Sequence, residues 1–236
     1  MTDWKANRFW DFAQIVNSGN GFTVRLDGRP VRTPAKAPMI LPTVAMAQAI
    51  AEEWNAQGRV IDPETMPVTK SANSAIDNVS HRVCEVTEML AAYADTDLTC
   101  YRAAEPKDLV KRQNSAWDPL LRWVYERFGA RRVTVEGVIH RPQPFRTLKT
   151  LRTPLDAMTP FELTAMYDLV NISGSLVIGL AVNDGQGSPE SLWTSSRVDE
   201  DWQIERWGVD VEAAHDASRK RLAFLHAARF LALARS

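Results

Sequence analysis

Histidine and cysteine are both scarce in this chain of 236 residues, with His81, His140, His215 and His226 the four histidines and Cys84 and Cys100 the two cysteines. Imidazole catalysis would have to be assembled from few pieces, and none of the four stands in a recognisable catalytic frame. The cysteines lie too far apart for a C-x-x-C pair and lack the companions of a zinc site. The expectation is two buried thiols in a reducing compartment. Also missing are G-x-x-x-x-G-K-[ST], H-E-x-x-H and G-x-S-x-G, the short frames of phosphate binding, zinc proteolysis and serine hydrolysis. An excess of positive charge is lacking too: 28 basic residues face 29 acidic ones, a formal charge of −1. That removes the usual electrostatic footprint of a nucleic-acid binder. The longest apolar run, Leu176 to Val182, falls far short of the roughly 20 residues that span a bilayer, so no transmembrane helix and no membrane insertion are expected. The opening MTDWKANRFW has no apolar signal core and carries Asp3, against the character of a transit peptide. A cytoplasmic protein, or a mature organellar one, is the expectation.

What is present begins with alternating residues and turns. RFWDFAQIV, NSGNG, GFTVRL, Asp27-Gly28 and RPVRT read as a small antiparallel sheet, because Asp-Gly between two β-type runs supplies the two positive-φ positions of a tight hairpin. The lone Gly19-x-Gly21 opens no helix and is read as part of a turn. Thr43 is placed to cap a helix with Val44, Ala47, Ala51 and Trp54 inward and Gly58 at its end, packed on the sheet. IDPETMPVTK, with two prolines, reads as a connector. From Ser71 onward helical periods dominate: Ile76, Val79, Val83, Val86, Leu90 and Tyr93 form one stripe. A helix from Pro106 to Gly129 follows, broken or kinked at Pro119, then a strand in RRVTVEGVI. The basic RPQPFRTLKTLRTP is either a solvated linker or a docking strip. Thr159-Pro160-Phe161-Glu162 fits a capping box opening an apolar helix that runs to Asn183-Asp184-Gly185, through Gly174-Ser175. Ser188-Pro189 starts the next helix, Gly208 ends it, and Asp210 caps the last.

These elements give an α+β fold: a small N-terminal antiparallel β-sheet with a packed helix over residues 1–70, then a larger, mainly helical C-terminal domain of orthogonal-bundle type over 71–236. The boundary could fall as late as about residue 98.

The segment SPESLWTSSRVDEDWQIERWG is the most informative. On a wheel of ~100° per residue, a single helix places Trp193, Glu200, Ile204 and Trp207 within about 60° of one another. A carboxylate on an apolar stripe must be paired, protonated or presented to something. Glu200 is thus either a structural ion pair or a recognition group. Trp202 falls on the opposite side, so this helix is either surrounded or exposes a tryptophan. Around it Asp199, Glu200, Asp201, Glu205, Asp210, Glu212 and Asp216 are opposed only by Arg206. That is either a solvated face or a field that selects a basic partner. Glu212-x-x-His215 has the helical spacing of carboxylate-bridged iron bundles, but no second such pair exists, and no metal is expected.

With these residues in view, the chain resembles the alpha-subunit assembly chaperones of the F(1) sector of ATP synthase, found in mitochondria and in some bacteria. The likeness runs over almost the whole length: RFW, LDGRPVRTPAK, AEEWNAQG, MPVTKSANSAIDNV, DTDLTCYRAAEPKDLVKRQNSAWDP, SRVDEDWQIERWG and EAAHD. It implies a chaperone without cofactor or catalysis that binds the free alpha subunit, prevents its aggregation and hands it to the beta subunit. It also implies a functional acid in the DEDWQ motif, matched here to Glu200 with Asp199 and Asp201 beside it. Trp202 and Glu205 join them as partner-binding candidates, and Trp54 and Trp207 are carried as structural positions. A monomer with no nucleic-acid partner is expected. The competing reading is a small-molecule enzyme using Glu200 and His215 in a pocket between the domains. A third is RNA binding through the basic segment around Arg146.

Overall fold

The computed structural model describes residues 7–236; the opening stretch that includes Asp3 lies outside them. The chain divides into two compact units. The first holds the residues up to Val83 together with Thr159–Ala165 and Arg229–Ser236, and the second holds Cys84–Met158 and Met166–Ala228.

In the first unit β1 (Ala13–Asn17), β2 (Phe22–Leu26) and β3 (Arg29–Pro30) form an antiparallel sheet in the order β1-β2-β3, with Ile15 opposite Val24. Leu26 pairs with Arg29, so Asp27-Gly28 is a two-residue turn, and both residues have positive φ, 46° and 83°, as the primed hairpin turns demand. The Asp27 carboxylate also accepts from the backbone N–H groups of Asp11 and Phe12. Gly21 is explained by close approach: a Cβ there would stand 2.4 Å from the carbonyl oxygen of Leu41.

Helix α1 (Val44–Asn55) is capped by the Thr43 hydroxyl, which accepts from Met46 N–H. Asn55 ties the helix to β1 through the backbone of Ala13. The buried side of α1 is Met46, Ala47, Ile50 and Ala51, whereas Val44 is half exposed; the inward stripe therefore differs from the expected one. The helix closes at Ala56, before Gly58.

The expected connector is partly helical. A 3-10 turn spans Pro63–Thr65, and α2 runs Pro67–Asp77, since a proline in the first turn sacrifices only an N–H that has no intrahelical partner. Met66 at the cap offers no side-chain acceptor. The Glu53 carboxylate of α1 replaces it, accepting from Val68 N–H at 2.7 Å, Thr69 N–H at 2.8 Å and the Thr69 hydroxyl at 2.7 Å. The stripe expected from Ile76 to Tyr93 is also not one helix: α2 stops at Asp77, a 3-10 turn spans Val79–His81, and α3 covers Val83–Ala92.

The second unit is built on α4 (Lys107–Phe128), which passes through Pro119 unbroken and ends at Gly129 with φ 69°. Burial of Trp117, Leu120 and Val124 on one side offsets the hydrogen bond that proline removes. Two-residue strands β4 (Tyr101–Arg102) and β5 (Val135–Glu136) pair in parallel. The basic segment is no linker from Phe145 onward: α5 (Phe145–Asp156) buries Thr147, Leu151 and Leu155.

The capping box is present, with Glu162 accepting from Thr159 N–H and the Thr159 hydroxyl accepting from Glu162 N–H. The apolar helix it opens is, however, two helices. α6 (Pro160–Ser173) stops at Gly174, φ 68°, and α7 (Leu176–Asn183) starts from Ser175. α8 (Pro189–Ser196), α9 (Val198–Trp207) and α10 (Val211–Leu233) complete the chain, and Asp210 caps α10 through Ala213 N–H. Cys100 is buried but Cys84 is exposed, and both are free. No helix among the described residues is long and apolar enough to cross a membrane.

Candidate functional site

The expected single helix through SPESLWTSSRVDEDWQIERWG is interrupted at Arg197, whose backbone (φ −111°, ψ 8°) separates α8 from α9. The interruption overturns the wheel that aligned Trp193 with Glu200. Trp193 on α8 is buried against Phe224 of α10 at 5.7 Å between ring centroids, while Glu200 on α9 is exposed. Glu200 meets Arg197 at 3.0 Å, one turn earlier, and Arg197 also stands 4.0 Å from Asp201. Burial pushes the Asp201 carboxyl up, opposed by Arg197.

The rest of α9 is tied to α4. Glu205 takes both arms of Arg112, at 2.8 and 2.7 Å, and this hydrogen bonding holds its carboxyl below the usual range. Asp199 accepts from Gln113 at 2.7 Å. Asp108 accepts from the Trp202 indole N–H at 3.2 Å and from Arg206, and those two donors lower its pKa. Arg206 lies over the Trp202 ring at 5.3 Å. Further along α4, the Trp117 indole donates to the backbone carbonyl of Ser195 at the end of α8. Asp216 on α10 is paired with Arg219 and Lys220. The acidic field counted along the sequence is thus met by Arg112, Arg197, Arg219 and Lys220 as well as Arg206.

Among the described tryptophans, Trp202 is half-buried, and the most exposed is Trp207, 74% exposed and edge-on to Trp202 at 5.8 Å. A groove of about 310 Å³ runs between α9 and the start of α10, and Glu200, Ile204 and Trp207 line it. The structure therefore brings Glu200 and Trp207 to one surface and turns Asp199, Trp202 and Glu205 toward α4. His215 lines a different groove with Val209 and Val211, so Glu200 and His215 do not converge. Trp54 belongs to the first unit, half-buried and edge-on to Trp10 at 5.1 Å.

One buried carboxylate was not singled out by sequence reasoning. Asp97, fully buried, accepts from Thr99 N–H, the Thr99 and Ser175 hydroxyls and Val177 N–H, at 2.7 to 3.0 Å. It closes the gap left where Gly174 ends α6. Thr99 is the local half of that ligand set, and Ser175 and Val177 are distant along the chain.

The α+β fold is that of a chaperone family, and that is the class to which this molecule conforms. The family model for ATP12 chaperone protein matches residues 7–125. The crystal structure of Atp12 from Paracoccus denitrificans is 45% identical and aligns over 99% of this chain and 100% of its own, with a TM-score of 0.96. A lysine-for-aspartate mutant of the same Paracoccus protein also reaches 0.96, at 45% identity, over 98% of both chains. The mitochondrial protein atp12 of Schizosaccharomyces pombe is 23% identical over 228 residues, covering 91% of this chain and 78% of that protein. The chain belongs to the ATP12 chaperone family.

Proposed function

We propose that this chain binds the free alpha subunit of the F(1) sector of ATP synthase, keeps it from aggregating, and yields it to the beta subunit during assembly. It performs no bond-making of its own and acts as a monomer, in the bacterial cytoplasm or the mitochondrial matrix. Family membership supports the chaperone role, and the resemblance of the DEDWQ and EEW motifs supports the choice of client. The observation that carries the site is the groove on which Glu200, Ile204 and Trp207 stand together, an acid beside an exposed aromatic anchor. Such a surface suits moderate, reversible binding built from a few apolar anchors in a polar rim. Asp201, at the edge of the same face, is the second acid in this reading. Asp199, Trp202 and Glu205 serve by fixing α9 on α4.

The test is co-purification with isolated alpha subunit, with beta subunit added as competitor. Capture by alpha and displacement by beta are expected. Glu200→Lys should abolish protection of alpha from aggregation while the circular dichroism and melting temperature stay close to the parent's, because Glu200 is exposed and Arg197 keeps Asp201 at 4.0 Å. A folded lysine variant that protects alpha normally would sink the assignment. In the Paracoccus protein an aspartate-to-lysine change leaves the fold as close to this chain as before, 0.96 in each case.

A further inference from the structure

The contacts that bind α9 to α4 are unequal. Arg112 with Glu205 and Arg206 with Asp108 are ion pairs at the surface, their side chains between 42% and 56% exposed, and pairs of that kind contribute little. The Trp202 indole adds a hydrogen bond to the same exposed Asp108. Gln113 differs from all of these. It is 2% exposed, and its partner Asp199 is half-buried. The Gln113 carboxamide oxygen accepts from Ala103 N–H at 2.8 Å, just after β4, and the carboxamide nitrogen donates to Asp199 at 2.7 Å on the first turn of α9. Turning the amide around would break both bonds, since a backbone N–H only donates and a carboxylate only accepts. The backbone carbonyl of Gln113 also receives Arg102, whose other arm holds Asp118 at 2.8 Å. One buried side chain thus ties the end of β4, the body of α4 and the start of α9 together, in surroundings where an unmade hydrogen bond is costly.

The place of that tie along α9 gives it consequence. At the junction with α8 the cap residue Arg197 makes no side-chain bond to the helix start; its guanidinium faces Glu200 and Asp201 instead. Asp199 is the residue of the first turn held across to α4, and Glu200 and Asp201 are the next two, each turned about 100° further around the helix. Whatever fixes the direction of Asp199 therefore fixes theirs.

We infer that Gln113 is a positioning residue for the acids of the α9 face: by holding Asp199 on α4 it sets the direction in which Glu200 and Asp201 are presented, while touching no partner itself. The inference rests on the reading of Glu200 as a client contact. Its test pairs Gln113→Glu with Asp199→Asn in the full chain, reading affinity for isolated alpha subunit and, without alpha, amide hydrogen exchange over residues 199–202. Gln113→Glu keeps the acceptor for Ala103 N–H but sets two carboxylates against each other. Affinity should fall at least about tenfold, or roughly 1.4 kcal/mol, and exchange at the start of α9 should quicken. Asp199→Asn keeps an acceptor for the Gln113 amide, and its affinity should stay within about threefold of the parent. The two changes together restore a donor and an acceptor with their roles exchanged, so affinity and exchange should both return to within about threefold of the parent. Circular dichroism and the urea midpoint are followed in each variant. A merely structural role would lower binding only through the fraction of chain unfolded, so a tenfold loss in a chain that is still folded belongs to the placement of α9. Should Gln113→Glu unfold, Gln113→Met takes its place and should lose affinity that Asp199→Asn does not restore. If the parent itself fails to bind alpha, the client reading falls and the exchange readout alone decides the role of Gln113. A folded Gln113→Glu chain with parental affinity or parental exchange, or a double variant no better than Gln113→Glu alone, would overturn the inference.

Discussion

Asp97 shows how one side chain can hold a junction. Four donors converge on its buried carboxylate, and alanine would strand all of them away from water. Hydrogen bonds to a charged group contribute about 1.5–3 kcal/mol each, and unmatched buried donors cost a further 1–3. Asp97→Ala is expected to lower stability by at least about 3 kcal/mol, measured as the shift of the urea midpoint, and Asp97→Asn by less, since it keeps one acceptor oxygen. A midpoint within error of the parent would refute the bridging role. The DTDLTC stretch contributed to the family resemblance, yet the reason for its aspartate was unreadable: half of what it binds is supplied by residues nearly eighty positions later. Glu53 was hidden in the same way. It is one of two adjacent acids before Trp54, and only the arrival of Pro67–Asp77 beside α1 makes it a cap.

Helix starts were legible because caps are local chemistry. Thr43, Thr159, Ser188 and Asp210 each sit at the beginning of a helix and accept the N–H bonds that such positions leave open. Helix interruptions were not legible. Arg197 carries no breaker signal, and Pro119, which does, breaks nothing; in both cases packing against neighbours decides between conformations that differ by a few kcal/mol at most. The α6–α7 junction has a steric consequence. Gly179 faces α6 so closely that a Cβ would lie 2.7 Å from Val170 and 3.1 Å from Met166. Gly179→Ala should therefore destabilise by about 1–3 kcal/mol, as overpacking does, despite alanine's better helix propensity. Thermal unfolding checks it, and a rise in melting temperature would show that the helices yield.

Across the molecule as a whole, acid should weaken the α4–α9 seam. Asp108 and Glu205 have depressed folded pKa values, through the hydrogen bonds of Trp202 and Arg206 and of Arg112 respectively. Their contribution is complete above the ordinary carboxylate pKa of about 4 and is lost as pH falls through the lower folded values. Asp168 and Asp201, raised by burial, act in the opposite sense: their contribution is present below the ordinary carboxylate pKa and lost as pH rises through the raised values. Melting temperature should not fall on acidification until pH drops below about 4, and Arg112→Gln should flatten that fall by removing the partner of Glu205. An unchanged acid slope in this variant would show that the seam does not respond as described. The sequence alone determined the hairpin, the capped helix starts, the α+β class and the family, because each rests on interactions between residues close in the chain or on motifs spread along it. Only the tertiary structure decided which acids are spent on α4 and which tryptophan of α8 and α9 is exposed, because a single-residue break at Arg197 rotates everything after it, and no local periodicity records such a rotation.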